Sequence, residues 1–325
     1  MIPRWSVISK KIAVPVWTLN ARQKTQVVDQ IRDDQSSLPK KHRYKIGDIL
    51  QAVELPKATY HDERKRIANT EDKYAEAKKA ILKIAKQGQV RGRWTYGYRR
   101  VNLRLRQMGI HLADMTVNRL MADLDVQVSL FNRHRNGKYS SYKGRVGKVA
   151  DNLLKQSFDQ TRPYQVLHTD VTQIRLANHD WAYVSSITDE ASKEVLAFQI
   201  SNHPDRQLIS NTLDELLDKL PDNVHPIIHS DQGWHYQLGY YTQKLTDHQF
   251  IQSMSRKGNC HDNAPIESFF HLFKTELLDG FPPCKDLAEL KELSKHYIDY
   301  FNYERISLKT KGMTPVEYRN HTLTA

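Results

Sequence analysis

The sequence predicts two parts of different class, an all-α region running to about residue 130 and an α/β region with a mixed sheet from Thr161 onward. Three observations carry this reading. Apolar residues recur at helical spacing between Ile46 and Asp123. After Thr161, short runs of β-branched and aromatic residues alternate with amphipathic segments. The charge is also split: residues 1–160 carry 33 basic against 15 acidic side chains, net +18, whereas residues 161–325 carry 16 against 22, net −6. A strongly basic half is the footprint of a polyanion binder, and an acidic half joined to it suits divalent-metal chemistry.

A chain of 325 residues, 39% of them hydrophobic, holds enough apolar material for the cores of two or three domains, so a disulfide-stapled miniature fold is excluded. No run approaches a membrane span. The apolar stretch Ile12–Leu19 is broken by Pro15 and followed by Asn20-Ala21-Arg22, which is no signal-cleavage pattern, so a cytoplasmic protein is expected. With Cys260 and Cys284 the only cysteines, neither a disulfide framework nor a CxxC zinc pair can be written.

Residues 1–44 show no sustained period and predict no element. Ile46, Ile49, Leu50 and Val53 mark a helix, Leu55-Pro56-Lys57 breaks it, and residues 58–66 resume as a second helix ending in Arg64, Lys65 and Arg66, a helix-turn-helix pattern. Residues 71–87 read as a charged amphipathic helix. A second hairpin follows: residues 97–108 with Val101 and Leu105 inward, a turn at Gly109, then residues 113–123 with Val117, Leu120 and Met121 inward. Arg91, Arg93, Arg99, Arg100, Arg104 and Arg106 are interleaved with Trp94, Tyr96 and Tyr98. Guanidinium forks suit phosphates and base edges, while the aromatics are alternatively the hairpin's own core. Lys57, Arg64, Arg99, Arg100 and Arg119 are therefore the candidate DNA contacts of a helix-turn-helix region spanning 45–130. Residues 131–160, rich in Lys, Arg and Gly, read as a basic linker.

Beyond Thr161, strands are expected over 164–174, 181–188 and 194–201. Helix 207–220, strand 225–229, helix 237–246, strand 250–254 and helix 263–278 follow, then an amphipathic helix 287–303 and a short basic tail. In this frame three acids converge. Asp170 lies in the first strand, Asp231 just past the fourth, and Glu267 one turn inside the helix that Asn263 and Pro265 open. Ile266, Phe269, Phe270, Phe273 and Leu277 form that helix's apolar stripe. Lys274, seven residues beyond Glu267, stands two turns along at nearly the same azimuth. Clustered carboxylates repel unless a cation occupies the site, and a hard-oxygen donor set selects Mg2+ or Mn2+. Two such ions suit phosphodiester chemistry.

These segments resemble the OrfB-type transposases of the insertion-sequence-three family, relatives of retroviral integrases whose signature is a DDE triad with 35 residues between the second Asp and the Glu. Here 35 residues separate Asp231 from Glu267. The resemblance also covers Gln252 to Cys260, Asp262-Asn263-Ala264, the basic Lys274, Tyr96-Gly97-Tyr98-Arg99-Arg100, Tyr300-Phe301-Asn302 with Arg305, and Thr314-Pro315. It departs modestly, with Leu167 where the family usually has Trp and Asp189 to Lys193 replacing a commoner Asp-x-x-Ser-Arg.

The resemblance implies a ribonuclease-H-like integrase core at 161–280, followed by a C-terminal helix and tail at 281–325. It implies cleavage and joining of DNA at terminal inverted repeats through Asp170, Asp231 and Glu267 as catalytic metal ligands, and a transposon-end contact at Lys274. It also implies a homo-oligomer on DNA, and a partner encoded in an upstream frame. The competing classes are a non-catalytic DNA-binding regulator and a ribonuclease-H-like nuclease that cuts without joining.

Overall fold

The computed structural model describes residues 15–68, 72–128, 130, 149–256 and 260–324, and the chain divides into two compact units, Met1–Glu76 and Ala77–Ala325. This division falls inside the stretch 45–130 expected as one helix-turn-helix region. The basic run from Arg133 to Lys148, and Lys257, Gly258 and Asn259 of the family-like motif, lie outside the described residues.

The first unit contains helices α1 (Ala21–Asp34), α2 (Ile46–Ala52) and α3 (Lys57–Ala68). The expected hairpin is α2 and α3, but α1 was not foreseen. It starts at a reciprocal capping box, in which Asn20 Oδ1 accepts from Gln23 N at 2.9 Å and Gln23 Oε1 accepts from Asn20 N at 3.0 Å. Val28 and Ile31 of α1 join Ile49, Leu50, Val53, Leu55 and Tyr60 in one core. The Tyr60 hydroxyl donates to Asp29 at 2.6 Å. Residues 21–34 thus complete a three-helix unit that two helices alone have too little apolar surface to form.

The second unit begins with α4 (Ala75–Gln87), which runs across the division, and a short hairpin of β1 (Gln89–Val90) and β2 (Arg93–Trp94). Gly88 is obligatory there: a Cβ on it would stand 2.3 Å from the Tyr96 ring. Helices α5 (Tyr98–Gln107) and α6 (Asp114–Asp123) form the second expected hairpin, and Val101, Leu105, Val117, Leu120 and Met121 are all buried as their spacing predicts.

A five-stranded sheet follows, with β3 (Val166–Arg175), β4 (Trp181–Asp189), β5 (Val195–Ser201), β6 (Ile227–Ser230) and β7 (Ile251–Met254) in the spatial order β5-β4-β3-β6-β7. The first three pair antiparallel, and β3, β6 and β7 run parallel. Helices cover both faces. Helices α7 (Arg206–Lys219) and α8 (Gly239–Asp247) pack on Leu167, Ile187, Leu196, Ala197 and Ile228. Helices α9 (Ala264–Phe273) and α10 (Leu287–Tyr303) pack on Ile174, Ala182, Val184, Val195 and Ile200. The alternation along each strand supplies both cores. This antiparallel-then-parallel sheet clad on two sides is the ribonuclease-H-like fold expected from the sequence.

Three expectations need correction. The helix foreseen over 263–278 is α-helical only to Phe273 and closes as a π-helical turn, Lys274–Leu278. The short basic tail contains a helix, α11 (Pro315–Thr324), whose start is closed by Thr314 Oγ1 accepting from Glu317 N at 3.2 Å while Glu317 accepts from Thr314 N at 2.9 Å. The end of the expected linker is stitched to the sheet: Leu153 N donates to Ser253 Oγ at 3.0 Å, and Asn152 and Gln156 donate to the buried Asp262 carboxylate at 2.9 and 2.8 Å. Among the described residues no helix is long and apolar enough to cross a membrane.

Candidate active site

The two aspartates meet because of strand register. In the parallel pair β3 and β6, His168 stands opposite His229. Asp170 and Asp231 each lie two residues further along, so the period of two carries both to the same side of neighbouring strands. Asp231 is one residue past the end of β6, at the carboxyl edge where parallel strands open a crevice. Its Oδ1 accepts from Gly233 N at 2.8 Å, and Asp170 Oδ1 accepts from Val171 N at 2.7 Å. Gly233 leaves room for this turn, since a Cβ there would stand 2.8 Å from Asp231 Oδ1 and 2.9 Å from His235 Nε2.

Glu267 enters from the first turn of α9, which Ile266, Phe269, Phe270 and Phe273 anchor to the sheet. The acids feel one another. Loss of hydration pushes the Asp170 carboxyl well above the usual carboxylate range, and the charges of Asp231 and Glu267 add to the rise, while Val171 N–H and Lys274 oppose it. Asp231 is raised chiefly by burial, against the pull of Gly233 N–H. Among the described residues no group of three His, Cys, Asp or Glu side chains forms a ready-made metal cage.

Lys274 lies next to the same crevice, where its Nζ donates to Thr172 Oγ1 at 2.6 Å, two residues along β3 from Asp170. The π-helical turn starts at this residue.

Under the carboxylates lies a polar floor that sequence reasoning missed. His168 Nε2 and Glu190 Oε2 are 2.7 Å apart with both side chains fully buried, the His168 and His229 rings pack edge to face at 5.6 Å, and His229 Nδ1 meets Ser253 Oγ at 2.9 Å. Burial, with His168 beside it, lowers the His229 pKa to about 4. The signal was present as the same His-x-Asp pattern, His168-Thr169-Asp170 and His229-Ser230-Asp231, on two strands.

The candidate DNA contacts divide. Arg99, Arg119 and Lys57 are exposed, with Arg99 stacked over the Tyr98 ring at 5.6 Å. Arg64 pairs with Asp29 at 3.2 Å while half its side chain stays exposed. Arg100 is half-buried and donates to Thr95 O at 3.2 Å. Arg91 and Arg93, grouped with them by sequence, have a structural part: they donate to the carbonyls of Leu277 and Asp279 and lie over the Phe281 ring at 4.0 and 4.6 Å. Tyr96 is core, its hydroxyl donating to Glu304 O and accepting from Ile306 N, both at 2.9 Å. The Tyr300-to-Arg305 motif is a clasp. The Asn302 side chain bonds Val195 N and O at 2.9 Å each, closing the edge of β5, and Arg305 forks onto the buried Glu276.

Comparison with known proteins gives the family. Two family models, each described as an integrase core domain, match residues 160–260 and 267–323. The chain is 41% identical over 281 residues to a protein described as the transposase InsK of insertion sequence IS150 from Escherichia coli K12, covering 86% of this chain and 95% of that one. It is 30% identical to the transposase InsF of insertion sequence IS3A from the same organism, covering 72% of this chain and 80% of the relative. The HTLV-2 integrase catalytic core domain, solved in complex with magnesium, aligns with a TM-score of 0.38 and 15% identity over 49% of this chain and 97% of that domain.

Proposed function

Because the chain belongs to the OrfB-type transposases of the insertion-sequence-three family, enzymes that act on DNA through an integrase core, we propose that it cleaves DNA at the terminal inverted repeats of a bacterial insertion sequence and joins the freed ends to a target. The reaction is a phosphodiester transesterification with Asp170, Asp231 and Glu267 as its catalytic set. The observation that carries this is the register of β3 and β6, which brings Asp170 of β3 near Asp231, one residue past β6, with Glu267 close enough for its charge to act on Asp170.

The donor set fits Mg2+ or Mn2+. Its members are hard oxygens, and the crowding that raises the Asp170 pKa is the crowding a cation relieves. Asp170, Asp231 and Glu267 would hold two such ions, which when bound activate water or a 3' hydroxyl and stabilise the leaving oxygen. The protein's own part is placement. β3 and β6 fix the two aspartates, the buried His168–Glu190 pair and His229 hold those strands from beneath, and the Phe-rich stripe of α9 sets Glu267. Lys274, tied to Thr172, supplies positive charge beside Asp170 and a point charge for the phosphate of the transposon end. Lys57, Arg64, Arg99, Arg100 and Arg119 contact DNA from the two helical hairpins. The protein works as a homo-oligomer on DNA in the bacterial cytoplasm, with an upstream-frame partner protein.

A strand-transfer assay with a labelled terminal-repeat end and Mg2+ tests the reading. Asp170→Asn, Asp231→Asn and Glu267→Gln should each lose cleavage and joining while retaining DNA binding. Near-normal turnover by one variant removes that residue from the set. Cuts without joining by the wild type establish a nuclease, and binding with no product establishes a regulator.

A further inference from the structure

Apart from the carboxylate crevice, a cavity of about 610 Å³ opens between the start of α9, the end of β4, Phe158, and the chain from Phe301 to Pro315. Neither Asp170, Asp231 nor Glu267 lines it. Its walls are of two kinds. Phe158, Phe269, Leu272 and Phe301 make an apolar side, and Arg100, Lys193 and Lys309 bring cations. The one acid on the lining, Asp189, is already engaged, accepting from Tyr164 N at 2.8 Å, Ser192 N at 2.7 Å and Ser192 Oγ at 2.6 Å. Arg305, which also reaches the lining, is committed to Glu276.

The cations crowd one another. Burial weakens Arg100's hold on its proton and Arg305 weakens it further, with Glu276 opposing. Lys193 is likewise lowered by burial, and Lys309 adds to this against Glu190 and Asp189. Arg100 has one bond to the Thr95 carbonyl and Lys193 one to the Glu190 carbonyl, which leaves each of these multi-proton donors further hydrogens to give. Like charges gathered where water is partly excluded are relieved by an anion. The volume falls in the range of small-ligand sites, about 300–1,000 Å³.

We propose that this cavity binds a nucleotide, with the base against the Phe158, Phe269 and Phe301 side and the phosphate at Arg100, Lys193 and Lys309. Inorganic phosphate would satisfy the cations and leave the aromatic wall wet, and a neutral apolar ligand would do the reverse. A nucleotide answers both, since every base has a face that stacks on an aromatic ring and Arg and Lys suit phosphate oxygens. The nucleotide comes either from an unpaired DNA end or from the free pool. Only the first source rests on the proposed strand-joining activity.

The test uses the full chain without divalent cation, so that it reads binding and not cleavage. Binding of dAMP is measured by calorimetry. Affinity is then compared for a blunt duplex and for the same duplex with one unpaired 3' nucleotide. The variants are Lys309→Glu, an exposed charge reversal, and Leu272→Trp, which fills the cavity; the melting temperature of each is recorded. The wild type should bind dAMP, and both variants should weaken it about tenfold or more, Lys309→Glu by loss of a hydrogen bond to a charged group and Leu272→Trp by occupying the space of the base. If Lys309→Glu also abolishes a wild-type preference for the unpaired end, the source is a DNA strand. If that preference is missing or survives the change, the source is the free nucleotide. Absence of dAMP binding and of any end preference in the wild type overturns the proposal. So does dAMP affinity that folded Lys309→Glu leaves unchanged. Failure of strand transfer would overturn the enzymatic reading without touching the dAMP result.

Discussion

Arg305→Ala is expected to act on the fold and not directly on DNA, and the size of the effect follows from what the side chain touches. The guanidinium is 4% exposed and Glu276 is fully buried. Three donor-acceptor contacts of 2.7 to 3.2 Å join them. Burial works against the charge on Arg305, but the Glu276 carboxylate outweighs it and holds the guanidinium proton above its usual range. Truncating Arg305 leaves the Glu276 carboxylate inside the protein, held by the Tyr297 hydroxyl, which donates to it at 3.0 Å. Breaking a buried pair from one side costs about 3–5 kcal/mol. For a unit of this size each kcal/mol moves the melting temperature by roughly 2–4 °C, so a fall of about 6–20 °C is expected. Replacing both partners, Glu276→Leu with Arg305→Met, should recover most of the loss, because a well-packed apolar pair avoids desolvating two ions. Thermal unfolding of the single and double variants provides the measurement, with DNA affinity at 20 °C beside it. An Arg305→Ala protein that melts within about 2 °C of the wild type but binds DNA weakly would refute the structural reading of this motif.

Other outcomes follow from the same geometry. Asp170 titrates above its unfolded range, so the folded protein binds more protons than the unfolded chain between the two pKa values, and stability falls as pH rises through that window. In EDTA the melting temperature should therefore decline with rising pH, Asp170→Asn should flatten the slope, and Mg2+ at neutral pH should raise it for the wild type alone. Gly233→Ala sets a Cβ 2.8 Å from Asp231 Oδ1 and should lower strand transfer about tenfold or more with a small change in melting temperature; unchanged turnover would show that the turn yields freely. Arg99→Ala and Arg119→Ala should weaken duplex binding across sequences and each reduce the slope of log affinity against log salt by about 0.9. A salt slope identical to wild type would remove that residue from the phosphate contacts.

Most of the second unit was legible because its elements obey a single period. The strands alternate, α9 and α10 carry apolar stripes, and the α5–α6 hairpin buries the residues its spacing selects. What escaped lies where side chains act in place of periodicity. Helix α1 has little apolar content and is announced by the Asn20 and Gln23 caps; α11 is announced by Thr314 and Glu317. The packing around the π-helical turn that starts at Lys274 is likewise non-local. The carbonyls of Leu277 and Asp279 are taken by Arg91 and Arg93, from a hairpin nearly two hundred residues earlier, and no reading of residues 263–278 alone contains that information.

The same reasoning separates two kinds of basic residue that a sequence cannot tell apart. Arg93 and Arg305 are drawn inward onto a carbonyl, an aromatic ring and a buried carboxylate, whereas the side chains of Arg99, Arg119 and Lys57 are exposed. The nearness of Asp170 and Asp231 was legible for a different reason. Asp170 and Asp231 are brought together by parallel register, which is a property of the fold class, so recognising that class places both residues at once. The His168–Glu190 pair beneath them depends on a turn after β4 whose side chains fold back into the core, and it becomes visible only when β3, β4 and β6 are laid side by side. The register that brings the two aspartates together was thus readable from spacing, while the buried pair packed near them was readable only from contact.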